Sequence, residues 1–117
     1  MTAARADSGP TVITGVFCDT EAQIASFAEA HLGAQLSVLE ATRAINKAAG
    51  RDACSPIANV IVGSREEVKQ IKLGGKGYTI ARLRVIGLMI PTPAGLLPRS
   101  VPALEQYVLA KSKSEEI

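Results

Sequence analysis

An apolar strand that runs straight into a capped helix, at Val16-Phe17-Cys18-Asp19-Thr20-Glu21-Ala22-Gln23, sets the first corner of this fold. Thr11 to Cys18 is rich in β-branched and aromatic residues, which suit a pleated, half-buried surface, and Pro10 bounds it. Thr20 and Gln23 have the spacing of a capping box, in which hydroxyl and amide satisfy backbone N–H groups that a first helical turn leaves unpaired. Ile24, Phe27, Ala28 and Leu32 then recur on one helical face, and Gly33 stands where a helix should stop. A second helix is expected over about 35–49, with Leu36, Leu39, Ala41, Thr42, Ile45 and Ala48 as its apolar stripe and Gly50 as its end.

Beyond Gly50 the alanine-rich helical pattern gives way to β-branched runs punctuated by glycine and proline. Strands are expected at 57–62 and 67–73, separated by a turn at Gly63-Ser64. Gly74-Gly75-Lys76-Gly77 is then a hairpin connection into a long strand at 78–90. Within it Thr79, Ala81, Leu83, Val85 and Met89 share one face and Ile80, Arg82, Arg84 and Ile86 the other, whose two charges should bring its middle to solvent or a partner. Pro91, Pro93 and Gly95 turn the chain, and Pro98 and Pro102 argue against a central strand there. The alternation of Gln106, Val108 and Ala110 with Tyr107 and Leu109 favours strand over helix for 104–110.

The fold class expected is α+β, in the order β-α-α-β-β-β-(β). Its first form is a small, partly open antiparallel barrel resembling the Src-homology-3 type, with two helices inserted after the first strand; the alternative is an open antiparallel sheet covered by two helices. The 117 residues suit one domain at 11–110, with a disordered arm at 1–10 and a flexible tail at 111–117. Two Phe, two Tyr and no Trp leave the core to Ile, Val, Leu and Ala. No apolar run approaches the ~20 residues that cross a bilayer, and residues 1–10 lack the apolar centre of a secretory signal, so a cytoplasmic protein without membrane contact is expected. A net charge of +2 implies no polyanionic partner by itself.

The pattern Cys18-Asp19-Thr20-x-x-Gln23, then Ile45-Asn46, then Ala53-Cys54 ahead of a β-rich half resembles a family of small bacterial proteins. The resemblance runs from about Val16 to Tyr107 and implies no activity.

Cys18 is the one catalytic candidate, since the partial positive charge of a helix N-terminus can activate a thiol for redox or nucleophilic chemistry. Asp19 and Glu21 oppose it: at roughly 6 Å each disfavours a thiolate by ~0.7 to 3 kcal/mol, against about half a charge from the helix. Packed thiols are therefore favoured for Cys18 and Cys54 over a bridge between them, which in a chain-entropy treatment would contribute ~4 kcal/mol. His31 has no ligand set around it, so no metal and no cofactor is expected. No nucleotide-binding loop, catalytic triad or carboxylate pair is present.

Two surfaces remain. Lys69, Lys72, Lys76, Arg82 and Arg84 lie within one hairpin with Tyr78 among them, a combination that could bind single-stranded nucleic acid. From 85 to 98 no residue is charged, and Leu88, Met89, Ile90, Leu96 and Leu97 could leave an apolar patch for a protein partner or a second copy. The leading functional expectation is a non-enzymatic interaction module that forms a homodimer or joins a larger assembly. A nucleic-acid-binding barrel and a Cys18 thiol enzyme are the alternatives.

Overall fold

The computed structural model describes residues 10–111 together with 115 and 116. They form β1 (Thr11–Cys18), α1 (Glu21–Ala28), a π-helical turn (Glu29–Gly33), α2 (Val38–Ala49), β2 (Cys54–Leu73), β3 (Lys76–Thr92), β4 (Gly95–Lys111) and a two-residue β5 (Glu115–Glu116). All strand pairings are antiparallel in the order β1-β2-β3-β4-β5, and β1 also meets β4 where Cys18 lies opposite Tyr107. That contact closes four strands into a ring. Because it is confined to one residue pair, the ring is a partly open barrel rather than a regular one.

Both helices are fixed at their starts by reciprocal caps. Thr20 Oγ1 accepts from the Gln23 N–H and Gln23 Oε1 from the Thr20 N–H, as the spacing predicts. Ser37 and Glu40 repeat the arrangement at α2, a capping box that the residue types Ser-x-x-Glu also carry. α2 starts at Val38, later than the apolar stripe suggests, because Gln35 sits in the left-handed region at φ 61° and cannot belong to a helix. At its other end Gly50, at φ 74°, supplies the left-handed cap and donates to Asn46 O.

Two sequence expectations for the sheet need correction. The turn at Gly63-Ser64 does not exist: 57–62 and 67–73 belong to the single 20-residue strand β2, whose register shifts near Val62 absorb the glycine as a bulge. A Cβ at Gly63 would stand 3.3 Å from the Ile86 side chain, a tight contact to which Ile86 would have to yield. The strand expected at 104–110 is correct in kind but is the end of a 17-residue strand that starts at Gly95. Pro102 is tolerated because β4 bulges between the pairs Val85–Leu104 and Gly87–Ser100. Lys111 closes β4, and Glu115 and Glu116 pair with Lys111 and Ala110. The rest of the tail, and the arm up to residue 9, lie outside the described residues.

The hairpin at Gly74-Gly75 is as expected. Leu73 faces Lys76 across it, and φ values of 59° and 82° at the two glycines are those of a two-residue type I′ turn.

Strand alternation divides the core into two layers. Val16, Cys18, Cys54, Ile80 and Leu109 point to one side, where Ile24 and Phe27 of α1 and Ala41 and Ile45 of α2 cover them. Ile13, Phe17, Val60, Val62, Leu83, Val85 and Val108 point to the other side and fill the ring. The helices explain the second face of β3: Tyr78 and Ile80 are buried beneath them, Arg82 is half-buried, and Arg84 is exposed.

Gly87 locks β3 to β4. A Cβ there would lie 2.7 Å from the Arg99 carbonyl oxygen and 3.1 Å from Ile61 Cδ1, so backbone must move to admit it. Gly87→Ala should cost about 1–3 kcal/mol, read as a lower urea midpoint.

Candidate functional site

The strand-to-helix junction resolves into a structural node. Cys18 and Cys54 are directly opposite in register, 4.1 Å apart at Cα, and joined by a disulfide. So close a pair is of the non-hydrogen-bonded antiparallel kind, and the adjoining Asp19 N–H donates to Ala53 O at 3.0 Å. The main-chain groups of Cys54 therefore point away from β1. Asn46 of α2 takes both, accepting the Cys54 N–H at Oδ1 (2.7 Å) and donating from Nδ2 to Cys54 O (2.9 Å). Its carboxamide occupies the place of a neighbouring strand's peptide group.

Packed thiols, the reading favoured by sequence, are thus corrected to a bridge, and the register of the two strands is the reason. Cys18, the catalytic candidate, has no exposure, Cys54 has 1 %, and neither sulfur is a free thiol.

Asp19 serves the same node. Its carboxylate accepts from Gln106 Nε2 at 2.9 Å and pairs with Arg51. The Gln106 hydrogen bond, aided by Arg51 and opposed by partial burial, holds the carboxyl below its ordinary pKa. A depressed folded-state pKa gives stability that is present above the unfolded value and is lost as pH falls through the folded one. Asp19→Asn should therefore lower the melting temperature at neutral pH and make its decline below about pH 4 shallower, as measured by melts across the acid range.

Beside this node the ring opens. A 340 Å³ cleft lies at its mouth, walled by Phe17, Ile57, Val60, Leu88, Val101 and Leu104. Asp19, Asp52, Ser55 and Gln106 add polar atoms at its edge. Val101 and Leu104 of its wall lie at the bulge in β4. Of these residues only Leu88 is a sequence candidate. The others are separated along the chain by strands and turns, and no periodicity links them before the ring is formed.

The apolar candidates Leu88, Met89, Ile90, Leu96 and Leu97 are brought together on one hairpin that leads out from this cleft. Beyond the pair Val60–Leu88, β2 no longer accompanies β3, and only β4 remains beside it. Ile90 opposite Leu97 and Leu88 opposite Arg99 share the face that is continuous with the cleft; Met89 opposite Pro98 and Pro91 opposite Leu96 share the reverse face. Leu96 and Leu97 are 48 % and 50 % exposed, while Leu88, Met89 and Ile90 are half-buried. Ile57 and Leu104, at the cleft, are also exposed large apolar residues.

The cationic candidates are not brought together in the same way. Tyr78 is buried under the helices at 8 % exposure, which leaves no ring face for a base to stack on. Arg82 pairs with Glu66, and its pKa is raised first by that carboxylate and then by Tyr107. Arg84 lies between Ser64 and Glu105 in register. Lys72, opposite Gly77, and Lys76, opposite Leu73, project to different faces, and Lys69 is exposed opposite Ile80. The 650 Å³ groove along this ribbon includes Glu67 with Lys72, so it offers an anion no uniformly positive surface.

His31 stacks on Phe27, ring centroids 5.4 Å apart, with Nδ1 2.7 Å from Leu36 O. Among the described residues no group of three His, Cys, Asp or Glu is placed to hold a metal ion, and no helix is long and apolar enough to cross a membrane. No protein-family model, curated protein or solved structure matches the chain.

Proposed function

We propose that this chain is a non-enzymatic interaction module that self-associates through the β3–β4 hairpin. The observation that carries the reading is a two-stranded ribbon with apolar residues on both faces and two half-exposed leucines near its tip. A two-stranded ribbon is marginal in water unless a third surface packs on it, and fully covering a leucine contributes about 1.5–3 kcal/mol. Pro91, Pro98 and Pro102 remove N–H donors along the ribbon and its approach, which disfavours edge-to-edge strand addition and favours packing through side chains.

The buried disulfide weighs against the cytoplasmic expectation, because such bridges form and persist in oxidising surroundings. An oxidising compartment is the setting that accompanies this reading.

Sedimentation velocity provides the test. The natural chain should show a mass that rises with concentration, and Leu96→Lys with Leu97→Lys should be monomeric over the same range while melting as a folded protein. A natural chain that stays monomeric throughout would remove the self-association reading.

A further inference from the structure

The hairpin and the cleft beside it form two halves of one contact, and we infer that the hairpin of each copy lies across the cleft of the other in a two-fold dimer. This rests on the self-association proposed above and specifies its geometry. The face of the hairpin that carries Ile90, Leu97 and Arg99 is continuous with Leu88, which is itself part of the cleft wall. Two such hairpins, laid antiparallel with these faces together, place each tip over the base of the other. Leu97 of one copy then meets the exposed Ile57 and Leu104 of its partner, so exposed apolar groups at both ends of the contact are covered at once.

Charge fits the same arrangement. Residues 85–98 carry no charge, and the first charged residue after them is the cation Arg99, on the face that would meet the cleft. The cleft edge carries Asp19 and Asp52. Asp19 is engaged by Arg51 and Gln106, whereas exposed Asp52 has no ion-pair partner among the described residues, and nor does Arg99. In the dimer Arg99 of each copy faces Asp52 of the other. The two pairings are related by symmetry. A hairpin packed only on another hairpin would leave Asp52 outside the contact.

Charge reversal at these exposed sites tests the arrangement without touching the core. Arg99→Glu and Asp52→Arg should each raise the dimer dissociation constant by about tenfold or more, because each places like charges at both symmetric contacts. Mixing the two variants should restore association close to that of the natural chain. In the mixed dimer one contact pairs Glu at 99 with Arg at 52, and the other keeps the natural Arg99 and Asp52. The result that overturns the inference is a natural chain that dimerises while Asp52→Arg dimerises equally well, or variants that weaken but are not rescued by mixing; self-association through the hairpin survives either result. A natural chain that is monomeric at every concentration overturns the inference together with the self-association reading.

Discussion

Replacing Cys18 and Cys54 together by alanine should destabilise the protein by about 4 kcal/mol, a fall in melting temperature on the order of 15 °C or more for a domain of this size. The figure follows from the 36-residue separation of the two cysteines, which the bridge holds together in the unfolded chain as well as the folded one. The segment so enclosed contains both helices, whose packing against Val16, Ile80 and Leu109 makes up one of the two core layers. Without the bridge, β1 and the start of β2 must be held by strand pairing, the Asp19–Arg51 ion pair and the Asn46 clamp. Chemical denaturation of the oxidised natural chain and the double variant measures the difference, and a loss below about 1 kcal/mol would show that the unfolded chain gains little freedom when the bridge is removed.

Asn46→Ala should cost about 2–3 kcal/mol, a large effect for a side chain that is only half-buried. Both Cys54 main-chain groups lose their partners at once, and a buried donor or acceptor left unpaired costs about 1–3 kcal/mol. The effect should not add to that of bridge removal, since both substitutions release the same point of β2. A double-mutant cycle over Asn46→Ala and the cysteine pair should give a coupling of about 1 kcal/mol. Strict additivity would mean that the clamp and the bridge restrain different motions.

The element order and barrel class were legible because they rest on local signals. The Thr20–Gln23 box, the aliphatic stripe of α1 and the paired glycines at 74 and 75 act within a few residues, and each has the predicted form. Gly63 misled because a glycine that makes a bulge and one that makes a turn look alike until the opposite strand is placed; the pairing of Val62 with Val85 and of Ser64 with Arg84 decides between them. The disulfide was decided by register in the same way, and the register of β1 on β2 is fixed only when Phe17 enters the ring and Val16 meets the helices. Tyr78 shows the reverse error: its chemistry suggested a stacking platform, and its strand position buried it. The apolar run at 85–98 was visible from its lack of charge. The cleft was not, because Phe17, Ile57, Leu88 and Leu104 lie far apart in the chain and become neighbours only when the strands pair.

Amide hydrogen exchange at a series of protein concentrations locates the contact on the chain. Protection should rise with concentration along the hairpin at 88–101 and at 55–58 and 104 beside the cleft, while the ribbon at 64–80 exchanges at a constant rate. Concentration-dependent protection confined to 64–80, or none anywhere while the protein stays folded, would contradict a hairpin-mediated assembly.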